Sequence, residues 1–397
     1  MAKKTIADVA DLMGKKVLVR VDFNVPLDDA GNITNDRRIR AALPTLRHIL
    51  DKGGSAIVMS HLGRPKGDPK KDAPFRMDRA AQRLGELLGK PVQKIDEVVG
   101  PHADGAAATL QQGHVLVLEN LRFHPGEQKG DAAFAAQLGK LADIYVNDAF
   151  GTCHRQDASM LAVPESMKGK PRVVGFLVAK ELDILDNLLG SPQKPFIGIL
   201  GGAKVSDKIG FITSLLSRVD RLLIGGAMTY TFMKAQGQAI GSSRCEHDKL
   251  DVARELLSRA EGKIVLPLDH LVADKPEAGA QTQVVAGNIP DGWFGMDVGP
   301  KTIDLYREEI KKAGTAVWNG PMGKFEDEPF SKGTRAIAAA LAEAKGVTIV
   351  GGGETAEAVE EFGLDSRMRH VSTGGGAFLE YLEGKSFAAL AQIDDKL

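Results

Sequence analysis

The sequence predicts an α/β protein of two doubly wound, Rossmann-like parallel-sheet lobes, joined by a hinge helix with a cleft between them. Three observations predict it. Short, near-continuous apolar runs recur along all 397 residues and alternate with segments of helical period, the pattern of strands covered on both faces. The length suits two cores better than one. The runs of the first half end in charged residues and those of the second half in glycine clusters, which makes the two halves chemically different.

In the first half the expected strands lie at 17–21, 56–59, 115–118 and 144–146. Between them, 38–50 carries Ile39, Leu43, Leu46 and Leu50 at spacings of three or four, and 77–88 repeats this through Ala80, Leu84, Leu87 and Leu88. Both read as amphipathic helices. Pro44 is expected in the first turn of its helix, where a missing N–H is tolerated. In the second half the strands are expected at 196–200, 221–224, 263–266, 316–318 and 347–350. One helix at 179–189, stopped by Gly190-Ser191-Pro192, falls between the halves. The expected division is therefore an N-terminal lobe at 1–175, a hinge helix at 176–190 and a C-terminal lobe at 191–385.

Composition narrows the function classes. Hydrophobic residues are 43% and charged residues 26% of the chain, as in a globular protein. Aromatics at 5% and a net charge of −1 argue against a nucleic-acid or membrane-surface protein. The charge is uneven: residues 1–178 carry 26 Lys+Arg against 21 Asp+Glu, and the remainder 25 against 31. The start of the chain has positive charge but no apolar stretch, and no run approaches the roughly 18 apolar residues of a membrane span. Cys153 and Cys245 match no metal or redox spacing. A cytoplasmic protein is expected.

Ligands of open parallel sheets bind beyond the carboxyl ends of the strands, so the residues that each strand runs into carry the chemistry. In the first half these are Asp22-Phe23-Asn24, His61-Leu62-Gly63-Arg64-Pro65, Glu119 to Phe123 with Arg122, and Asn147 to Arg155 with His154. Arg37 and Arg38 stand at the start of the first helix. Guanidinium forks match carboxylate and phosphate oxygens, and several at one mouth suit a small, multiply charged acid. In the second half the strand ends offer backbone instead: Gly201-Gly202-Ala203-Lys204, Gly225-Gly226-Ala227, Gly351-Gly352-Gly353 and Gly374-Gly375-Gly376. Such turns expose N–H groups to phosphate. Lys204 and Lys208, four apart, are expected on one face of a helix starting there. No P-loop is present. Glu354, and Glu326 with Asp327, are candidate partners for magnesium or ribose.

These residues together make the chain resemble the phosphoglycerate kinase family from end to end. The resemblance rests on Arg20-Val21-Asp22-Phe23-Asn24-Val25-Pro26, His61 to Pro65, Gly201 to Ile209 and Trp318-Asn319-Gly320-Pro321-Met322-Gly323. It implies exchange of ATP and 3-phosphoglycerate with ADP and 1,3-bisphosphoglycerate, with Mg²⁺. It implies that Asp22, Phe23, Asn24, Arg38, His61, Leu62, Gly63, Arg64, Arg122 and Arg155 hold the phosphoglycerate. Gly202, Ala203, Lys204, Gly226, Glu326, Gly352, Gly353, Glu354 and Thr355 would hold the nucleotide, with Glu354 on the metal. Arg38, Lys208, Gly375 and Gly376 would meet the phosphoryl group in flight, and residues 386–397 would pack back on the N-terminal lobe. The chain departs from the family at Glu354 (commonly Asp), Ala227 (often Gly), Lys324 (Val), Phe378 (Ser) and Cys153 (often Ala).

Direct in-line transfer with no phosphoenzyme is the expected mechanism, because phosphoryl transfer asks for positioning and charge stabilisation, with closure around both substrates. A dinucleotide-dependent oxidoreductase is the main rival, since Gly351 to Ala356 fits a loose Gly-x-Gly-x-x-Ala. No carboxylate stands about 20 residues further on to take a ribose. A nucleotide-binding scaffold would need only the second half and would leave the arginines unexplained.

Overall fold

The β-branched and leucine-rich runs of the first half form one parallel sheet. Its strands are β1 (Lys16–Val21), β2 (Ser55–Met59), β3 (Val92–Lys94), β4 (Val115–Val117), β5 (Ile144–Asp148) and β6 (Arg172–Val174). The order is β3-β4-β2-β1-β5-β6, every pairing parallel. β2, β4 and β5 are buried at every position, so no polar alternation marks them. The chain leaves β1 for one side and returns beside it as β5, which opens a switch point between those two strands.

The structure, a computed structural model, describes residues 2–396; Met1 and Leu397, the ends of the expected first lobe and returning tail, lie outside the described residues. Two compact units are present. Unit 1 comprises 1–183 and 386–397, and unit 2 comprises 184–385, so the division falls inside the Phe176–Gly190 helix. The last residues of the chain belong to unit 1. Asp394 donates its N–H to Arg172 O at 2.9 Å and pairs with the Arg172 guanidinium at 2.9 Å, while Phe387, Ala389, Leu390 and Ile393 are buried.

Unit 2 contains β7 (Phe196–Leu200), β8 (Arg221–Ile224), β9 (Ile264–Val265), β10 (Asp269–Ala273), β11 (Thr282–Ala286), β12 (Phe294–Val298), β13 (Thr315–Asn319), β14 (Val347–Gly351) and β15 (His370–Val371). Its main sheet is parallel in the order β15-β14-β13-β7-β8-β9. Counted along the chain this is the Rossmann order, with the switch point between β7 and β13. One element was not anticipated from the sequence. A separate antiparallel sheet, β11-β10-β12, interrupts the parallel plan. β11 is exposed at four of five positions, and a surface strand of Thr, Gln and Val lacks the continuous apolar run that revealed the others.

The helices bury their apolar stripes against these sheets. Ile39, Ala42, Leu43, Leu46, Ile49 and Leu50 of the Arg37–Asp51 helix join the core of unit 1 with Val17, Val19, Val58 and Val146. Pro44 is not in the first turn but in the middle of this helix. The helix continues through it because five buried Ile and Leu side chains, each contributing about 1.5–3 kcal/mol, outweigh a cost of about 3 kcal/mol. Pro44→Ala restores an N–H toward the Arg40 carbonyl and is expected to stabilise unit 1 by about 1–2 kcal/mol after the unfolded-state entropy is offset. A urea midpoint that does not rise would show that the helix has adapted to the proline.

Candidate active site

Sheet topology brings the first-half candidates to one mouth, at the ends of β1, β2, β4 and β5. Asp22 follows β1 and is paired with Arg38, from the first turn of the Arg37–Asp51 helix, at 2.5 Å. Burial raises the Asp22 carboxyl; the Arg38 guanidinium, the strongest of several neighbours that oppose it, acts together with them to hold the group at about 2. Phe23 is packed in the core, and its N–H donates to Ser60 Oγ at 2.8 Å. Its carbonyl accepts from Val25 N at 2.8 Å, so Phe23 shapes the mouth from the core.

The loop after β2 is braced from two sides. Asn24 Oδ1 accepts from Gly63 N at 2.8 Å, and Arg122 donates to Gly63 O at 2.7 Å. Buried Asn120 accepts from Leu62 N and Arg122 N and donates to Leu62 O and Phe75 O. Gly63 has φ +62°, and a Cβ there would stand 2.3 Å from the Phe75 ring, so no other residue fits the turn. Arg64 is exposed on this loop.

His61 lies beneath, buried between guanidinium groups. Its Nδ1 is 3.1 Å from the NH2 nitrogen of Arg20, and its Nε2 is 3.4 Å from the NH1 nitrogen of Arg155. Burial, with the nearby Arg20, Arg122 and Arg155 charges, pushes His61 well below the ordinary imidazole range despite Asp22. The ring is neutral at neutral pH. Arg20 is fully buried and was missed; the signal was a charged residue inside an apolar strand. Asn120 and Ser60 were also missed, since nothing in the sequence separates a buried polar strut from a surface one.

In unit 2 the glycine turns gather at the ends of β7, β8, β13 and β14. Gly202 N donates to Pro321 O at 3.0 Å, Gly226 N to Met322 O at 2.9 Å, and Met228 N to Gly202 O at 3.0 Å. Gly226 has φ +67°, and a Cβ there would meet Gly202 N at 2.4 Å. Gly352 (φ +98°) stands at the start of the Gly353–Glu361 helix, where a Cβ would meet Asn319 Nδ2 at 2.5 Å. Asn319 is the unread strut of this site: Lys208 Nζ donates to its Oδ1, and its Nδ2 donates to Gly351 O at 2.7 Å. Thr355 Oγ1 accepts from Gly320 N at 2.7 Å, which commits it to the loop after β13.

Lys204 and Lys208 do not share a helix face, contrary to expectation. Lys204 lies in irregular chain; a 3₁₀ turn, Ser206–Lys208, follows, and the α-helix begins only at Ile209. Two flexible glycines before Ala203 delay the helix, so a spacing of four does not stack the side chains. Lys208 is half-buried; burial lowers its pKa, while Asp207, Glu354 and Glu383 act against that. Lys204, Glu326 and Glu354 are exposed. Gly375 (φ +52°) and Gly376 lead into the Gly376–Leu382 helix, and a Cβ at Gly375 would meet nothing within 4 Å.

The family model that matches is that of phosphoglycerate kinase, over residues 6–385. The chain belongs to the phosphoglycerate kinase family. Curated relatives of that name include those of Rhodopirellula baltica, 54% identical with 100% of both chains covered, and Rubrobacter xylanophilus, 51% identical over 100% of this chain and 99% of the other. Solved phosphoglycerate kinases from Coxiella burnetii and Pyrococcus horikoshii match with TM-scores of 0.86 and 0.85 at 38% and 30% identity. They cover 98% and 99% of this chain and 98% of each of theirs. The reaction is phosphoryl transfer between 1,3-bisphosphoglycerate and 3-phosphoglycerate, with ADP and ATP as co-substrates, a step of glycolysis.

The departures from the family pattern acquire physical reasons. Phe378 is buried behind the triple glycine, where a Cβ on Gly351 would stand 2.2 Å from its ring. Lys324 pairs with Asp327 at 2.7 Å and donates to Pro276 O. Ala227 packs on Tyr230, Met233 and Ile240. Cys153 is buried and burial pushes its thiol up to about 12, which removes it as a nucleophile.

The Asp22–Arg38 pair has a pH signature. A carboxyl held at about 2 in the folded state contributes stability that is complete above about pH 4 and lost as pH falls toward 2. The contribution is about 2 kcal/mol at neutral pH. The urea stability gap between wild type and Asp22→Asn is expected to narrow by about 1 kcal/mol from pH 6 to pH 3. A gap independent of pH would remove Asp22 from this linkage.

Proposed function

We propose that the mouth of unit 1 holds the phosphoglycerate and that the glycine turns of unit 2 hold the nucleotide. The observation that carries the reading is the contrast between the two switch points: cationic side chains at β1/β5, backbone N–H groups and lysines at β7/β13. A glycerate phosphate is small, with charge at both ends, and suits converging guanidinium forks. A nucleotide phosphate chain suits glycine turns and helix N-termini.

In this reading Arg38, Arg64, Arg122, Arg155 and His61 hold the anionic groups of the phosphoglycerate. Asp22 and Asn24 meet its hydroxyl, and the Gly63 turn approaches it closely. Gly202, Ala203, Lys204, Gly226, Glu326, Gly352, Gly353 and Thr355 hold the nucleotide. Arg38, Lys208 and the Gly375-Gly376 turn neutralise charge on the phosphoryl group during direct transfer, which asks the protein for no covalent intermediate. Asn319 keeps Lys208 pointed, at the end of β13.

Among the described residues no group of three or more His, Cys, Asp or Glu side chains is placed to hold a metal. Magnesium with a nucleotide does not need one, since it keeps water and phosphate oxygens and takes one or two carboxylates. Glu354, a hard oxygen donor in the first turn of the Gly353–Glu361 helix and close enough to Lys208 to affect its charge, fits that role. The ion would neutralise nucleotide phosphate charge when bound. Two free cysteines and a glycolytic reaction on small substrates support a cytoplasmic enzyme. Each proposed substrate set is complete within one chain, which supports a monomer. Among the described residues no helix is long and apolar enough to cross a membrane.

The test is kinetic. Arg38→Ala is expected to lower kcat on the order of a thousandfold, as loss of a charge-stabilising arginine does, while the Kd for nucleotide is unchanged. Unchanged turnover would take Arg38 out of the transfer step. Glu354→Gln is expected to raise the magnesium concentration giving half-maximal rate and to leave phosphoglycerate affinity unmoved; a magnesium titration identical to wild type would assign the metal elsewhere.

A further inference from the structure

A line of buried polar side chains runs behind the unit 1 mouth and none of its first three members binds substrate in the reading above. Glu127, Ser159 and Arg20 are all fully buried. Ser159 donates twice to the Glu127 carboxylate, from its N–H to Oε2 at 2.9 Å and from its hydroxyl to Oε1 at 2.5 Å. A serine hydroxyl has one proton. Having given it to Glu127, Ser159 Oγ can only accept, and it accepts from Arg20 Nε at 2.9 Å. Arg20 spends a second N–H on Val21 O, and its NH2 nitrogen then faces His61 Nδ1 at 3.1 Å.

Arginine only donates, at any accessible pH, and a neutral His61 ring can accept from only one of the two guanidinium groups that face it. The contact with fully buried Arg20 is the shorter, and Arg20 has no solvent to turn to, whereas Arg155 is only partly buried; Nδ1 is therefore the acceptor. A neutral ring then carries its proton on Nε2. Nε2 lies 3.4 Å from the NH1 nitrogen of Arg155, which also only donates. Two donors face each other and cannot satisfy one another. An oxygen with lone pairs, at about 2.7–3.0 Å from each, would satisfy both.

We propose that Glu127, acting through Ser159 and Arg20, is a positioning residue that holds His61 as the Nε2–H tautomer, so that His61 Nε2–H and Arg155 form a two-donor seat for one oxygen of the phosphoglycerate. This rests on the reading that His61 and Arg155 face that substrate. Glu127 also supplies Arg20 with a buried counter-charge, without which a desolvated guanidinium beside Arg122 and Arg155 is costly. A neutral His61 donates a hydrogen bond without adding a further charge to a mouth already crowded with cations, and so favours geometry over field strength.

The test reads the tautomer directly. In free wild-type enzyme, the ¹⁵N signals of His61 are expected to show an unprotonated Nδ1 and a protonated Nε2 at neutral pH. Addition of 3-phosphoglycerate should shift the Nε2–H proton downfield, the mark of a new acceptor. Glu127→Gln keeps the shape but turns an acceptor into a donor toward Ser159 Oγ, so the line loses its direction. In it the His61 nitrogens should lose the wild-type pattern, and the KM for 3-phosphoglycerate should rise about tenfold, the scale of one hydrogen bond, with the nucleotide KM unmoved. A wild-type His61 protonated on Nδ1 overturns the proposal without any variant having to fold. So does a Glu127→Gln enzyme that is folded by circular dichroism and keeps the wild-type tautomer. If instead His61→Ala binds 3-phosphoglycerate as tightly as wild type, the substrate assignment falls while the tautomer result stands separately.

Discussion

Crowding of positive charge at one sheet mouth is the constraint on which the rest of unit 1 depends. An anion of high charge needs several cations within reach, and those cations repel one another until the anion arrives. The chain meets this by giving three of the guanidinium groups partners within the protein before any ligand arrives. Arg38 has Asp22, Arg122 has the Gly63 carbonyl, and Arg20 has the Val21 carbonyl and Ser159, backed by Glu127. Histidine at the centre is kept uncharged by burial and by the arginines themselves. The mouth is thus held together before any substrate enters, and its polar struts are as buried as the hydrophobic core.

Unit 2 faces a different constraint, the close approach of backbone to backbone. Its turns are held by main-chain bonds such as Gly202 N to Pro321 O and Gly226 N to Met322 O, and at Gly226 a Cβ would collide with the neighbouring turn. A few side chains assist: Thr355 and Thr334 accept from Gly320 N and Met322 N, and Asn319 ties the Lys208 turn to Gly351 across the switch point. This explains why a substitution such as Phe for Ser at 378 is accommodated. Its ring fills space behind Gly351 that the absent side chain leaves open.

The parallel sheets were legible because strands buried on both faces are written as unbroken apolar runs. β1, β2, β4 and β5 could be placed to within a residue or two for that reason. What they run into was legible for the same reason, since the polar residue that stops an apolar run is the one at the mouth. β11 was not legible, because its exposure removes the only signal that a single sequence offers. Pro44 misled in the opposite direction: propensity is local, and the buried stripe on either side of it decides whether the helix continues. Lys204 and Lys208 misled because the spacing argument presupposes a helix that two glycines postpone.

The buried struts define where such reading stops. Arg20, Ser159, Glu127, Asn120 and Asn319 are separated along the chain by as many as 139 residues where they bond, so no local pattern connects them. Their types are informative only after the topology has brought them together. Arg20 is the exception that shows the rule: a charge in the middle of a strand buried on both faces must be satisfied from elsewhere in the fold. A buried arginine therefore predicts, from sequence alone, that a carboxylate and at least one relay lie behind the mouth. It cannot say which ones, because any of the Asp, Glu, Ser or Asn residues on the elements packed there would serve. The choice of Glu127 and Ser159 is made by the return of the chain beside β1 as β5, which carries 159 back across the sheet to the guanidinium.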